Sequence, residues 1–222
     1  MAVYNHEDIV AIATPPGIGA LAIIRVSGNS LKKLYNLLTG KIPKNRHALF
    51  SNLYNPINGA VLDQVIITYF KTPGSFTGED VIEISCHGTI AITRSIVDII
   101  IKNGARPANP GEFSYRAFLN GKMDLMQAEA VASLINSKTS KAAELSLYHL
   151  SGKVSDIINK VREKTINVLT LIEKELDFSE EEITPTSISE ITLILEDVLS
   201  ELRLITSSSV VGTAVVADIK II

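Results

Sequence analysis

The hydrophobic pattern changes character partway along the chain. In the first half, short β-branched runs recur between turn residues, at 8–13, 21–26, 65–70 and 81–84, and predict strands, with a weaker strand signal at 47–53. Val65-Ile66-Ile67-Thr68-Tyr69-Phe70 is the clearest of them. Thr14-Pro15-Pro16-Gly17-Ile18-Gly19 separates the first two runs, since its prolines and glycines continue neither strand. Asn55-Pro56-Ile57-Asn58-Gly59 is a further turn signal. Two segments carry helical spacing instead. Leu31, Leu34, Leu37 and Leu38 share one face of a helix that Ser30 caps and Gly40 ends. Ile90, Ile96, Val97, Ile100 and Ile101 share a face of another, running from Gly88 to Asn103-Gly104. Strand pairs alternating with single helices predict an α/β or α+β layer fold, not an all-β sandwich.

Pro107-Ala108-Asn109-Pro110-Gly111 is a hard break, after which Ala, Leu, Glu and Lys recur at helical spacing. A short helix over 113–119 stops at Gly121, and a second covers 123–136. Residues 141–178 read as one long helix, with Leu150, Val154, Ile157, Val161, Val168 and Ile172 on a near-heptad face. Gly152 would weaken that helix by roughly 1 kcal/mol. Ser187-Ile188-Ser189-Glu190 fits a capping box, and Ile191, Leu195, Val198, Leu199 and Leu202 form the next face, read as helix-bundle core. Thr206-Ser207-Ser208-Ser209 reads as a linker, and Asp218-Ile219-Lys220-Ile221-Ile222 as the opening of a new strand. A domain ending mid-strand would leave that strand unpaired, so the sequence is expected to be the N-terminal portion of a longer protein. The whole is an α+β chain, with a sheet domain followed by helices.

Composition narrows the class. Of 222 residues, 46% are hydrophobic, which is ample for a core and excludes a disordered chain. A net charge of -3 argues against a dominant nucleic-acid surface while leaving a local basic patch open. Residues 41–46 are such a basic run, read as a solvated loop. Cys86 is the single cysteine, so no intrachain disulfide forms and a reducing, cytoplasmic setting is expected. The start of the chain lacks the basic and apolar regions of a signal peptide, and no segment is apolar enough to span a membrane.

Candidate chemistry centres on the stretch 74–88, where Gly74-Ser75-Phe76-Thr77-Gly78-Glu79-Asp80 leads into Val81-Ile82-Glu83-Ile84 and then Cys86-His87-Gly88. Glu83 shares a strand face with Val81, opposite Ile82 and Ile84. It is either paired in a partly buried setting or solvated on an edge strand. Arg25, amid Ile23, Ile24 and Val26, either snorkels to the sheet edge or meets an anion. Cys86-His87 invites a nucleophile reading, but neighbouring strand residues point apart and no third orienting group is identifiable. Glu180-Glu181-Glu182 is a solvated loop more readily than a metal site. Neither a catalytic residue nor a metal ligand is assigned.

Taken together these segments resemble the MnmE (TrmE) family of tRNA-modification GTPases. The resemblance rests on 8–17, on Ile24-Arg25-Val26-Ser27-Gly28, on 75–84, and on Cys86-His87-Gly88. It continues through Arg106-Pro107, Pro110-Gly111-Glu112-Phe113-Ser114, 116–125, Gln127-Ala128-Glu129-Ala130 and Asp177-Phe178-Ser179-Glu180-Glu181, in family order. Ile18 departs from it, where relatives often carry a basic residue, which weakens any anion role for that turn.

The resemblance implies a folate-binding, dimerising domain over 1–120 that is similar to the folate domain of aminomethyltransferases. It implies part of a helical domain over 121–212 and the start of a G domain over 213–222. It further implies a homodimer that binds 5-formyl- or 5,10-methylene-tetrahydrofolate. With the FAD-containing partner MnmG, such a protein places a carboxymethylaminomethyl-type group on carbon 5 of the tRNA wobble uridine. GTP, Mg2+ and K+ would act only in the G domain, and no G-x-x-x-x-G-K-[ST] occurs in this sequence. Matched to the family's motifs, Arg25, Glu83 and Lys122 are the implied folate ligands. A carboxylate accepts from the pterin's donor pair, and a cation meets the anionic glutamyl tail. A stand-alone aminomethyltransferase-like enzyme is the alternative, and a purely structural module in which Arg25 and Glu83 merely pair is a third.

Overall fold

The computed structural model describes residues 7–29, 31–177 and 188–216. The chain divides into two compact units between Met123 and Asp124.

The first unit is an α+β layer, as the hydrophobic pattern predicts. Six strands, β1 (Ile9–Ile12), β2 (Gly19–Gly28), β3 (Ala48–Tyr54), β4 (Val61–Phe70), β5 (Asp80–Gly88) and β6 (Arg106–Pro107), form one sheet. Their order is β3-β4-β5-β2-β1-β6, antiparallel throughout except for the β1–β6 pair. Helices α1 (Leu31–Thr39) and α2 (Ile90–Lys102) pack on the sheet. Alternation along the strands sends Ile24, Val26, Ile67, Tyr69, Ile82 and Ile84 into a core with Leu31, Leu38, Ile96 and Ile100. Two details differ from the sequence reading. Gly88 is the last residue of β5, and Thr89 caps α2 by accepting from the Ile92 N–H. The two-residue β6 had no pattern to betray it; it is held by Arg106 N–H donating to Asp8. Helix α3 (Glu112–Leu119) closes the unit. The N-cap expected at Ser30 lies outside the described residues.

The second unit is helical: α4 (Leu125–Ile135), α5 (Ser140–Leu150), α6 (Lys153–Asp177) and α7 (Ile188–Val216). Asp124 and Gln127 form a reciprocal capping box on α4. The single long helix expected over 141–178 is two helices. Gly152 takes φ 81°, the left-handed conformation that ends a helix and that glycine alone enters without a Cβ penalty. The Gln127 amide then donates to the Leu150 carbonyl at the freed end of α5, 2.9 Å away. Gly152 is thus a stop, not a local weakness.

The 206–209 segment is helical as well, so the expected linker is part of α7. Lys164 joins α6 to α7 through Asp197 at 2.5 Å and Glu201 at 2.9 Å. The apolar stripe of α7 is only partly core. Val198 is buried, whereas Leu195, Leu199 and Leu202 are exposed, as is Ile172 on α6. The proposed strand at 218–222, Ser187 of the proposed capping box and the Glu180–Glu182 run lie outside the described residues. Among the described residues, no helix is long and apolar enough to cross a membrane.

Candidate functional site

Sheet register builds the centre of the site. In the β2–β5 ladder Arg25 stands directly opposite Glu83, and in the β4–β5 ladder Thr68 does so from the other side. Glu83 is therefore on a central strand, on the face away from Ile82 and Ile84, and not on an edge. Arg25 donates from Nε (2.9 Å) and Nη2 (2.6 Å) to the same oxygen, Glu83 Oε1. The two side chains are 29% and 30% exposed, so the pair is half in water and its Coulomb energy is screened. The guanidinium lies near two aromatic rings, 5.4 Å from the centre of Phe76 and 5.9 Å from that of Phe113. Glu83 Oε2 has no hydrogen-bond donor among the described residues. A half-satisfied carboxylate, fixed in rotation by its arginine, is ready to accept from a ligand.

A cavity of about 290 Å³ opens beside Glu83. Val81, Phe70, Phe76, Lys122 and Arg46 line it, together with the turn at Gly74-Ser75. Lys122 enters because the chain after α3 turns back, its N–H donating to Ala117 O at 2.8 Å. Gly78 makes room for it: φ is 81°, and a Cβ there would stand 2.9 Å from Asn120 Cβ and 3.2 Å from Lys122 Cγ. Asn120 ties the same loop down by donating to Thr77 O at 2.7 Å. Of the three residues singled out from sequence, Glu83 and Lys122 face one cavity, and Arg25 reaches it through Glu83. Arg46 was missed as a site residue. It is exposed, as a solvated loop would have it, yet it lines this cavity.

A buried ion network underlies the cavity's outer loop. Arg116 is fully buried and donates to Glu79 Oε2 at 2.9 Å and to Glu112 Oε1 at 2.9 Å. Ser27 donates to Glu79 Oε2 at 2.7 Å, and Arg106 grips Glu112 with two nitrogens, at 2.8 and 2.6 Å. Hydrogen bonds from Arg106 outweigh burial and hold the Glu112 carboxyl down at about 2. This network fixes Glu79, and with it the 74–80 loop, onto α3. Thirty-seven residues separate Glu79 from Arg116, and no local pattern announces the contact.

Cys86 and His87 are parted by the strand's alternation. The thiol is buried, donates weakly to Ala22 O at 3.6 Å, and is pushed up to about 11 by burial and then by the charge of Asp63. His87 points outward, its Nδ1 2.7 Å from Asp63 Oδ1, while Asp63 Oδ2 accepts the His87 backbone N–H. The orienting group absent from the sequence reading is thus Asp63, but it orients a histidine that is turned away from the thiol. Burial and the raised thiol do not fit Cys86 for a nucleophile's role. A thiol-directed disulfide reagent at pH 8 should modify folded protein at least about 10²-fold more slowly than urea-unfolded protein. Equal rates would place the thiol outside the core. Among the described residues, no group of three or more His, Cys, Asp or Glu side chains is arranged to hold a metal ion.

An α+β domain with a carboxylate-centred cavity, joined to a helical unit, defines a two-module chain, and each module matches a known family. The family described as "GTP-binding protein TrmE N-terminus" matches residues 8–122, and the "MnmE helical domain" matches 125–216. A protein of Pseudothermotoga lettingae named tRNA modification GTPase MnmE is 42% identical over 212 residues, covering 92% of this chain and 47% of the relative. Its namesake in Fervidobacterium nodosum is 44% identical over 186 residues, covering 80% and 40%. That of Nitrosomonas eutropha is 40% identical over 218 residues, covering 98% and 48%. The chain belongs to the MnmE family of tRNA modification GTPases. It spans about half the length of the curated relatives it matches.

Proposed function

We propose that the first unit binds a reduced folate, 5-formyl- or 5,10-methylene-tetrahydrofolate, with Glu83 as the pterin anchor. The observation that carries this reading is the half-satisfied carboxylate of Glu83 facing a cavity with aromatic walls. A pterin presents an exocyclic amino group and a ring N–H side by side, and a carboxylate accepts both. Arg25, held on Oε1, keeps Glu83 in one orientation; it is a positioning residue here, not the partner of the ligand's tail. Phe76 and Phe70 offer apolar faces to a flat ring, and Lys122 supplies a cation for the carboxylates beyond it. At about 290 Å³ the cavity is at the small end for ligand sites, which suits the bicyclic head with the tail directed outward. The bound folate would supply a one-carbon unit.

In the protein as a whole, that unit would serve modification of carbon 5 of the tRNA wobble uridine, together with an FAD-containing MnmG-type partner. GTP hydrolysis, with its Mg2+ and K+, would belong to a G domain outside these 222 residues, in the cytoplasm. The chain would act as a homodimer. Phe50, Ile66 and Leu21 are exposed on the sheet face that carries Glu83, and large apolar side chains on an open antiparallel face favour a covering partner.

The test is calorimetric titration of the purified chain with 5-formyltetrahydrofolate, with its mass measured by light scattering. Saturable binding by a dimer is expected; a well-folded dimer that takes up no folate would overturn the reading. Lys122→Ala should weaken binding only about two- to fivefold, since one solvent-screened charge contact is worth little. Complete loss in that variant would make Lys122 the anchor instead. A structural reading has one observation in its favour, the Arg25–Glu83 pair itself, and the same titration decides between the two.

A further inference from the structure

We infer that the folate site continues outward over the basic 41–47 loop and is built for the γ-linked polyglutamate chain of a polyglutamylated folate, with Arg46 as its first contact. This rests on the folate reading above. The first observation is position. Arg46 lines the same cavity as Glu83 and Lys122, so a ligand anchored at Glu83 has these two cations along its way out.

The second is preorganisation. Arg46 is the one described non-glycine residue with positive φ, at 56°, a conformation that a side-chain-bearing residue keeps only when its surroundings hold it. Three contacts do so. Its N–H donates to Tyr69 O at 2.8 Å, its Nη2 donates to Gly74 O, and its guanidinium sits 5.8 Å from the Phe70 ring centre. Next to it, Asn45 accepts the Lys71 N–H at 2.9 Å, which brings the end of β4 and its lysine alongside the loop. A merely solvated basic loop has no need of such fixings.

The third is charge. Between Asp8 and Asp63 the sequence holds six Lys and Arg residues and no acid at all, although the whole chain carries -3. Lys41, Lys44 and Arg46 all fall in the loop, and all are exposed. Glu83, on the cavity wall, and Asp80, beside it in the same strand, each already hold a donor. Glu83 holds Arg25, and Asp80 accepts from the Tyr69 hydroxyl at 2.7 Å and from the Thr72 N–H at 3.0 Å. The loop therefore presents an uncompensated positive strip to whatever leaves the cavity. Each added glutamate carries one more carboxylate on a flexible, extended chain, the charge pattern such a strip accepts.

The experiment compares 5-formyltetrahydrofolate monoglutamate with its pentaglutamate by calorimetry on the purified chain, at low and moderate salt. The pentaglutamate should bind about tenfold tighter, from two or three screened contacts, and the gain should shrink as salt rises. In Arg46→Gln, and separately in Lys44→Ala, the ratio of the two affinities should fall toward one. Equal affinities in the unaltered chain would overturn the inference and leave the folate reading intact. Uptake of neither ligand would overturn both. A pentaglutamate preference that survives in both variants would move the tail off this loop. Should tRNA bind with the same Arg46 and Lys44 dependence while the glutamate chain gives no gain, the loop is a nucleic-acid contact and the inference fails.

Discussion

On the proposed reading, Glu83→Ala should abolish folate binding while leaving the fold and the expected dimer intact. The carboxylate is the group in the cavity that can accept from both pterin donors, and each charge-assisted hydrogen bond of this kind contributes about 1.5–3 kcal/mol. Losing both should weaken binding by at least about 10²-fold, beyond a calorimetric titration at micromolar protein. Stability should change by less than about 1 kcal/mol, because Arg25 and Glu83 are each nearly a third exposed and water takes over the arginine. Glu83→Gln sharpens the test. It keeps the shape of the side chain but turns an N–H2 toward the ligand's donors, so it should fail almost as completely. If Glu83→Ala still binds folate with near-normal affinity, the carboxylate is not in the site and its pairing with Arg25 is structural.

Arg116→Ala should be the most destabilising single change in the first unit, by about 3–5 kcal/mol. Removing the cation leaves Glu79 and Glu112 as buried carboxylates with only part of their compensation, the situation in which breaking a buried pair costs most. Urea denaturation of the variant measures this directly. Arg116→Met with Glu79→Gln should recover much of the loss, since neutral, similarly shaped groups need no counter-charge. A loss below about 1 kcal/mol in Arg116→Ala would mean that water replaces the guanidinium and the network is not a brace.

The same network sets an acid limit. Glu112 is held down at about 2 from an ordinary 4.5, first by Arg106. A carboxyl whose folded value is lowered contributes stability that is complete above 4.5 and is lost as pH falls toward 2. The melting temperature should therefore drop across that interval, and Arg106→Gln should flatten the drop.

Much of the fold is legible along the chain because local physics dominates where it is. The β-branched runs that become β2, β4 and β5 alternate so regularly that Ile82 and Ile84 go inward and Glu83 outward by stereochemistry alone. Gly40 ends α1 with φ 67° for the same local reason. The division of 141–178 was not legible. A glycine inside an apolar helical period reads as a cost until the backbone enters the left-handed region at Gly152 and the Gln127 amide satisfies the end it exposes. Nor was the helix through 206–209, where serines signal a loop but α7 continues.

The site divides in the same way. Sequence by itself singled out a carboxylate in one apolar strand and an arginine in another, because each conflicts with its surroundings, whereas Lys122 came only from the family resemblance. It also determined the family, whose segments occur in order. Only tertiary structure decided which of them meet. Strand register set Arg25 on Glu83, since antiparallel pairing fixes opposite residues whatever their separation along the chain. It brought Arg46 from a loop to the cavity wall, and joined Glu79 to Arg116 beneath the outer loop. Such contacts depend on where distant segments pack, and hydrophobic periodicity carries no information about the partner across the gap.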